Sequence, residues 1–228
     1  FKDIMRVNDI PVLESLVFSR NEITSQMSWV IAQAESIAPY PLFTKPANMG
    51  SSVGITKCHG RSDLLEGLMD ASRYDRRIMV ERGVNGREIE VSVLGNEAPE
   101  ASIPGEIIPS DEFYSYNAKY IDDASELIIP APIPSETTEL VRKIAVQAYL
   151  AVDCAGMARV DFLLDKETGK VYLNEINTIP GFTKISMYPK LWDASGLPYA
   201  RLIDRLVQLA LQRKEENDQS ERVYRRTW

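Results

Sequence analysis

A chain of 228 residues can bury a sizeable core, as one large or two small domains. Its 26 Lys and Arg against 33 Asp and Glu leave a net charge of −7 with no basic tract, which argues against nucleic acid as a partner. No apolar run approaches the ~20 residues of a membrane span and residues 1–12 carry no signal-peptide pattern, so a soluble, cytoplasmic chain with no membrane partner is the expectation.

The chain starts at Phe1 and reads as a fragment or trimmed chain. Cys58 and Cys154 have no paired spacing and are expected to be free buried thiols in a reducing compartment. His59 is the only histidine, which excludes a Ser-His-Asp triad within this chain and any multi-histidine zinc site.

Residues 1–8 read as the end of a helix, broken by Asp9 and Pro11 before a strand over Val12–Phe18. Apolar positions Ile23, Met27, Val30, Ile31 and Ala34 predict a helix over Asn21–Ala38, stopped by Pro39 and Pro41, and a second strand follows over 41–46. The stretch from Lys45 to Ile55 is a Gly/Ser loop that allows close backbone approach to an anion, with Lys45 supplying a compact positive charge for phosphate. Because the lysine precedes the glycines it is not a P-loop, and an ordinary hairpin turn is the competing reading.

Ser62 is expected to cap a helix reaching Tyr74, whose apolar face is Leu64, Leu65, Leu68, Met69 and Ala71. A buried strand over Arg77–Glu81 and a turn at Gly83 lead into a half-exposed strand over Arg87–Gly95. Glu81 and Glu88 flank that turn and, taken alone, read as solvated acids. Between Pro109 and Pro130, Tyr114, Tyr116 and Tyr120 with Lys119 suggest a lid, against the alternative of a Tyr-rich strand edge. Ser135 is expected to cap a helix over Glu136–Val152.

Arg159–Leu164 and Val171–Asn177, joined by a charged turn with Gly169, predict a β-hairpin. Glu175 and Asn177 lie two apart on one face, and antiparallel pairing brings Asp161 to them. Two carboxylates and an amide oxygen are hard ligands suited to Mg²⁺ with water and phosphates completing its shell, whereas a solvated acidic hairpin is the bland alternative. Pro180 and Gly181 then shape a turn that can offer backbone N–H groups to an anion. A short helix with Leu191 and Trp192, a last helix from Tyr199 to about Arg213 and a charged tail complete the chain. The mixture predicts an α+β class with antiparallel sheets, divided into subdomains 1–81 and 82–213 plus the tail 214–228, with a nucleotide between them.

In their order these segments resemble the ATP-grasp fold and, within it, the D-alanine–D-alanine ligase family, from about Phe1 to Gln212. The resemblance implies ATP and two Mg²⁺ ions, replaceable by Mn²⁺, used to phosphorylate one D-alanine carboxylate before the amine of a second attacks. The product would be a dipeptide for peptidoglycan, made by a protein that is homodimeric when full length. It implies that Lys45, Ser51 and Ser52 bind the ATP phosphates, Glu81, Arg82 and Val84 the adenine, and Glu88 the ribose. Asp161, Glu175 and Asn177 would hold metal, Arg159 and the Gly181 N–H would face the tetrahedral oxyanion, and Lys119 the transferred phosphate. Tyr116, Ser186 and Met187 would meet the second substrate, and Ser51 would bond Tyr120 to close the lid. The family's N-terminal domain, with a further ATP-binding lysine, is not matched, and Met49 stands where some members carry an acid. A depsipeptide ligase joining D-alanine to D-lactate and an inactive nucleotide-binding fragment are the competing expectations.

Overall fold

The computed structural model describes residues 1–50, 52–108, 126–183 and 185–221. Its first elements are α1 (Lys2–Val7), β1 (Ser15–Ser19), α2 (Arg20–Ser25), α3 (Met27–Glu35), β2 (Leu42–Pro46), β3 (Thr56–Cys58), α4 (Arg61–Tyr74) and β4 (Arg77–Arg82). Then come β5 (Gly86–Gly95), β6 (Glu100–Ala101), β7 (Gly105–Ile108), β8 (Glu126–Ile128), α5 (Ser135–Ala151), β9 (Gly156–Asp165), β10 (Val171–Asn177), α6 (Met187–Ala194) and α7 (Tyr199–Asp218). The strands form two antiparallel sheets, a small one in the order β1-β4-β2-β3 and a large one in the order β10-β9-β5-β7-β8, with β6 beside β5. The class is α+β.

Each sheet builds its own core. In α4, Leu64, Leu68 and Ala71 recur at helical spacing and bury one stripe against Leu42, Ile78 and Val80 of the small sheet, together with Val30 and Ile31 of α3. The large sheet turns Ile89, Val91 and Val93 of β5 and Val160 and Phe162 of β9 toward Val141, Ile144, Ala145 and Ala148 of α5, alternate residues sharing a face by the strand period. Its other face is covered at one end by α6 and α7 through Leu94, Tyr188, Trp192, Leu202 and Leu209. At the other end that face is open toward the small sheet.

Several expectations shift. The first strand begins at Ser15, because Val12 instead bridges Leu173 of β10 while Met5 and Ile10 enter the large-sheet core. The N-terminal segment therefore packs with the large sheet, so the small-sheet unit does not extend continuously from residue 1 to 81. The helix expected over 21–38 is two helices, since Gln26 leaves helical geometry at φ −139° and a capping box on Ser19 starts α2 one residue earlier, at Arg20. Gly60 and Pro134 are the residues preceding α4 and α5, in place of caps by Ser62 and Ser135. From Ile89 onward β5 is buried on both faces, because α6 covers the side that alternation would leave wet. The last helix continues to Asp218, where Lys214 pairs with Asp218 one turn on. Cys58 is buried and Cys154 half-buried, both free thiols.

Candidate active site

The open end of the large sheet carries a lattice of polar side chains set by strand register. Glu90 of β5 lies opposite Asp161 of β9, and Asp161 lies opposite Glu175 of β10; the next row is Ser92, Arg159 and Asn177. A bulge makes the third column possible. The β9–β10 register shifts between Leu173 and Glu175, so Asn174 is the extra residue and Glu175 arrives across from Asp161. The Asn177 amide donates to Asp161 Oδ2 at 2.9 Å and to Glu175 Oε1 at 3.3 Å, so the three groups meet as expected, but through the bulge and not through strict alternation.

Arg159 is held tightly in this lattice. Its Nε and Nη2 donate to the two oxygens of Asp161 at 2.8 Å each, and Nε stands 3.1 Å from Glu90 Oε2. Burial disfavours its charge, but Asp161 and Glu90 outweigh burial and raise its pKa above the ordinary value. No group of three or more His, Cys, Asp or Glu side chains arranged to hold a metal ion occurs among the described residues. A protein-held cation here therefore needs the Asn177 oxygen beside the two carboxylates, and such an all-oxygen donor set fits Mg²⁺.

The small sheet faces this lattice across a cleft of about 850 Å³, within the range of small-molecule sites. Lys45 on β2 lies opposite Met79 on β4, and its Nζ donates to Glu81 Oε1 at 3.0 Å. The other oxygen of Glu81 takes Lys2 of α1. Glu81 is thus a buried acid between two lysines and not a solvated one. Burial lowers the pKa of Lys45, with Glu175 across the cleft acting in the opposite direction. Burial, then Lys45 and Arg6, lower that of Lys2, against the pull of Glu14.

The Gly/Ser loop projects from the end of β2 and is pinned at its entrance and exit. Asp75 Oδ2 accepts from the backbone and side-chain nitrogens of Asn48 at 2.8 and 2.7 Å, while Gly54, at φ +71°, lies under the ring of Tyr74. Ser52 takes the left-handed conformation at φ +60°. After β4 the linker spends two amides on structure, Arg82 N–H on Glu14 O at 3.0 Å and Gly83 N–H on Pro41 O at 2.9 Å. The Arg82 side chain pairs with Glu14 and stacks 5.3 Å over Tyr172.

Lys45, Ser52, Glu81, Arg82, Val84, Glu88, Arg159, Asp161 and Glu175 all line the one cleft. Asn177, Gly181, Ser186 and Met187 do not. Ser186 precedes α6 and its Oγ accepts from Thr183 N at 3.0 Å, which closes the turn after Gly181, and the Met187 side chain is buried with Ile107 and Leu191. Ser51, Tyr116, Lys119 and Tyr120 lie outside the described residues. The sequence reading missed Lys2, Glu90 and Asp75. Glu90, two residues from Glu88 on the same strand face, was within reach of the period-two argument that found Asn177; Lys2 and Asp75 act through tertiary contacts that leave no local pattern.

With this geometry in hand, the family model described as the D-ala D-ala ligase C-terminus matches residues 4–208. A D-alanine–D-alanine ligase of Acetivibrio thermocellus is 52% identical over 216 residues, covering 95% of this chain and 57% of its own length. One from Thermoanaerobacter pseudethanolicus is 62% identical over 178 residues, covering 78% of this chain and 50% of its own. The solved D-alanine-D-alanine ligase from Coxiella burnetii superposes with a TM-score of 0.81 at 39% identity, covering 95% of this chain and 57% of that one. The VanG D-Ala:D-Ser ligase from Enterococcus faecalis also reaches 0.81, at 33% identity and 91% and 59% coverage. The chain spans between 50% and 59% of the length of these relatives.

Proposed function

The chain belongs to the D-alanine–D-alanine ligase family and has its ATP-grasp fold, and on that premise we propose that the full-length protein joins two D-alanines at the expense of ATP, through a D-alanyl phosphate, for peptidoglycan synthesis. The observation that carries this reading is the facing of Lys45 on one sheet by Asp161, Glu175 and Arg159 on the other, across a cleft of nucleotide size. Phosphoryl transfer is mainly positioning and charge neutralisation, which this arrangement provides without a histidine.

In the proposed roles, Lys45 moves its charge to the phosphates, helped by Ser51, Ser52 and Lys119, while Glu81, Arg82 and Val84 border the adenine and Glu88 accepts the ribose hydroxyls. Asp161, Glu175 and Asn177 would hold two Mg²⁺ ions, or Mn²⁺, whose chemistry there would be to neutralise phosphate charge. Arg159 and the Gly181 N–H face the oxyanion that develops when the amine attacks the acyl phosphate; one such donor is typically worth roughly 3 kcal/mol of barrier. Ser186 and the Met187 N–H, at the start of α6, would meet the second substrate's carboxylate together with Tyr116, and Tyr120 would bond Ser51 to keep water off the acyl phosphate. The reading includes a cytoplasmic homodimer with no membrane or nucleic-acid partner; no described helix is long and apolar enough to cross a membrane.

The test uses the full-length protein. Phosphate release should require D-alanine, and dipeptide should accumulate in step with it. Glu175→Gln should abolish Mg²⁺-dependent turnover while the melting temperature stays within a few degrees. Turnover that survives this change would place the metal elsewhere, and release driven by D-lactate in place of the second D-alanine would favour a depsipeptide ligase.

A further inference from the structure

We propose that Glu90 is a positioning residue that holds the Arg159 guanidinium in place while Asp161 is engaged by a metal ion. The proposal rests on the ligase reading above. Its geometry comes from two demands made on Asp161. Both oxygens of that carboxylate are occupied by the Arg159 fork, at 2.8 Å each, and the same oxygens are needed for a cation. Whatever a cation takes from Asp161 is taken from the arginine.

Glu90 is placed to compensate. It sits on the neighbouring strand directly opposite Asp161, is buried, and brings Oε2 to 3.1 Å from Arg159 Nε. Ser92, two residues on, lies opposite Arg159 itself and is fixed to α6 by its bond to the Tyr188 carbonyl, so the strand carrying Glu90 is anchored beside the arginine. A buried carboxylate beside a half-buried guanidinium keeps more of its attraction than a pair in open water. With Asp161 shared, Glu90 is the acid that keeps Nε, and hence the fork, aimed at the developing oxyanion.

The experiment compares Glu90→Gln with the parent full-length protein by calorimetry, using Mg-ADP first and then, with Mg-ADP present, a D-alanine-derived tetrahedral phosphinate. The variant should melt within a few degrees of the parent and bind Mg-ADP within about three-fold, since no phosphate or ribose contact is lost. Phosphinate affinity should fall roughly ten- to hundred-fold, the range for removing a group that orients a site ligand, and kcat should fall alike at saturating Mg²⁺ and ATP. Glu90→Asp keeps the charge but shortens the reach to Nε; it should also lose phosphinate and hold Mg-ADP, and it serves if the Gln variant does not fold. Unchanged phosphinate affinity overturns the proposal, as does a loss of Mg-ADP affinity equal to that of the phosphinate, which would make Glu90 simply a charge near the metal. A parent protein that binds Mg-ADP but not the phosphinate overturns the ligase reading, and this inference with it.

Discussion

Two glycines of one loop show how a single residue type can serve two purposes. Gly54 is dictated by the fold: at φ +71° an added Cβ would lie 2.7 Å from the Tyr74 ring and 3.0 Å from Pro46. Gly50 meets no such demand, because a Cβ there would touch nothing within 4 Å. Gly54→Ala should therefore cost roughly 1–3 kcal/mol in a chemical denaturation series. Gly50→Ala should stay within about 0.5 kcal/mol of the parent yet weaken Mg-ADP binding several-fold, since the open space is where an anion would approach. Equal stability losses at both positions would remove the functional reading of Gly50. At this scale the sequence was informative about types and silent about neighbours. Lys45, Asp161 and Asn177 were legible because chemistry and period mark them, whereas Glu81 looked like a surface acid until Lys2, 79 positions away, was found against it.

Among the elements, the loop between β2 and β3 depends on the start of β4. Burial raises the Asp75 pKa, but the Arg77 N–H and the two Asn48 donors outweigh it, so the net shift is downward. A carboxyl whose folded pKa is depressed contributes stability that is fully present above its unfolded value and is lost as pH falls through the folded one, here below about pH 4. Melts at pH 7 and between pH 3 and 5 should show the parent losing stability on acidification more steeply than Asp75→Asn. At neutral pH the variant should raise the nucleotide KM a few-fold with kcat little changed, and parallel acid profiles would show that Asp75 does not anchor the loop. The hairpin of β9 and β10 marks the limit of reading elements from sequence. Its strands and turn were plain from residue types, but strict alternation places Asn174 opposite Asp161 and turns Glu175 to the far face. The bulge that corrects this has no sequence signature in the run Leu173-Asn174-Glu175. Gln26 is similar: helical apolar spacing runs straight through it, and only the backbone shows the break.

For the whole molecule, two separately packed cores share one cleft, and a ligand that touches both should stabilise the pair together. Mg-ADP at about one hundred times its Kd should add about 2.7 kcal/mol and raise the melting temperature by roughly 5–11 °C, with a single transition. A midpoint that ignores Mg-ADP would mean that the cleft is not the nucleotide site. The return of residues 2–13 to the large sheet was not legible, because α1 is short and its buried residues, Lys2 and Met5, are one turn apart with no longer periodicity to follow.

That crossing has an electrostatic corollary. Lys2 travels with the large sheet, Lys45 and Glu81 with the small one, and the acid takes both amines in the interior. On the proposed reading, a polyphosphate reaching Lys45 would trade places with a carboxylate already seated there. Affinity in this cleft is then the balance of an anion exchange, in which the displaced partner stays tethered to the protein. Because the exchange takes place below the surface, the ionic strength of the medium should matter less to it than the number of lysines alone would imply.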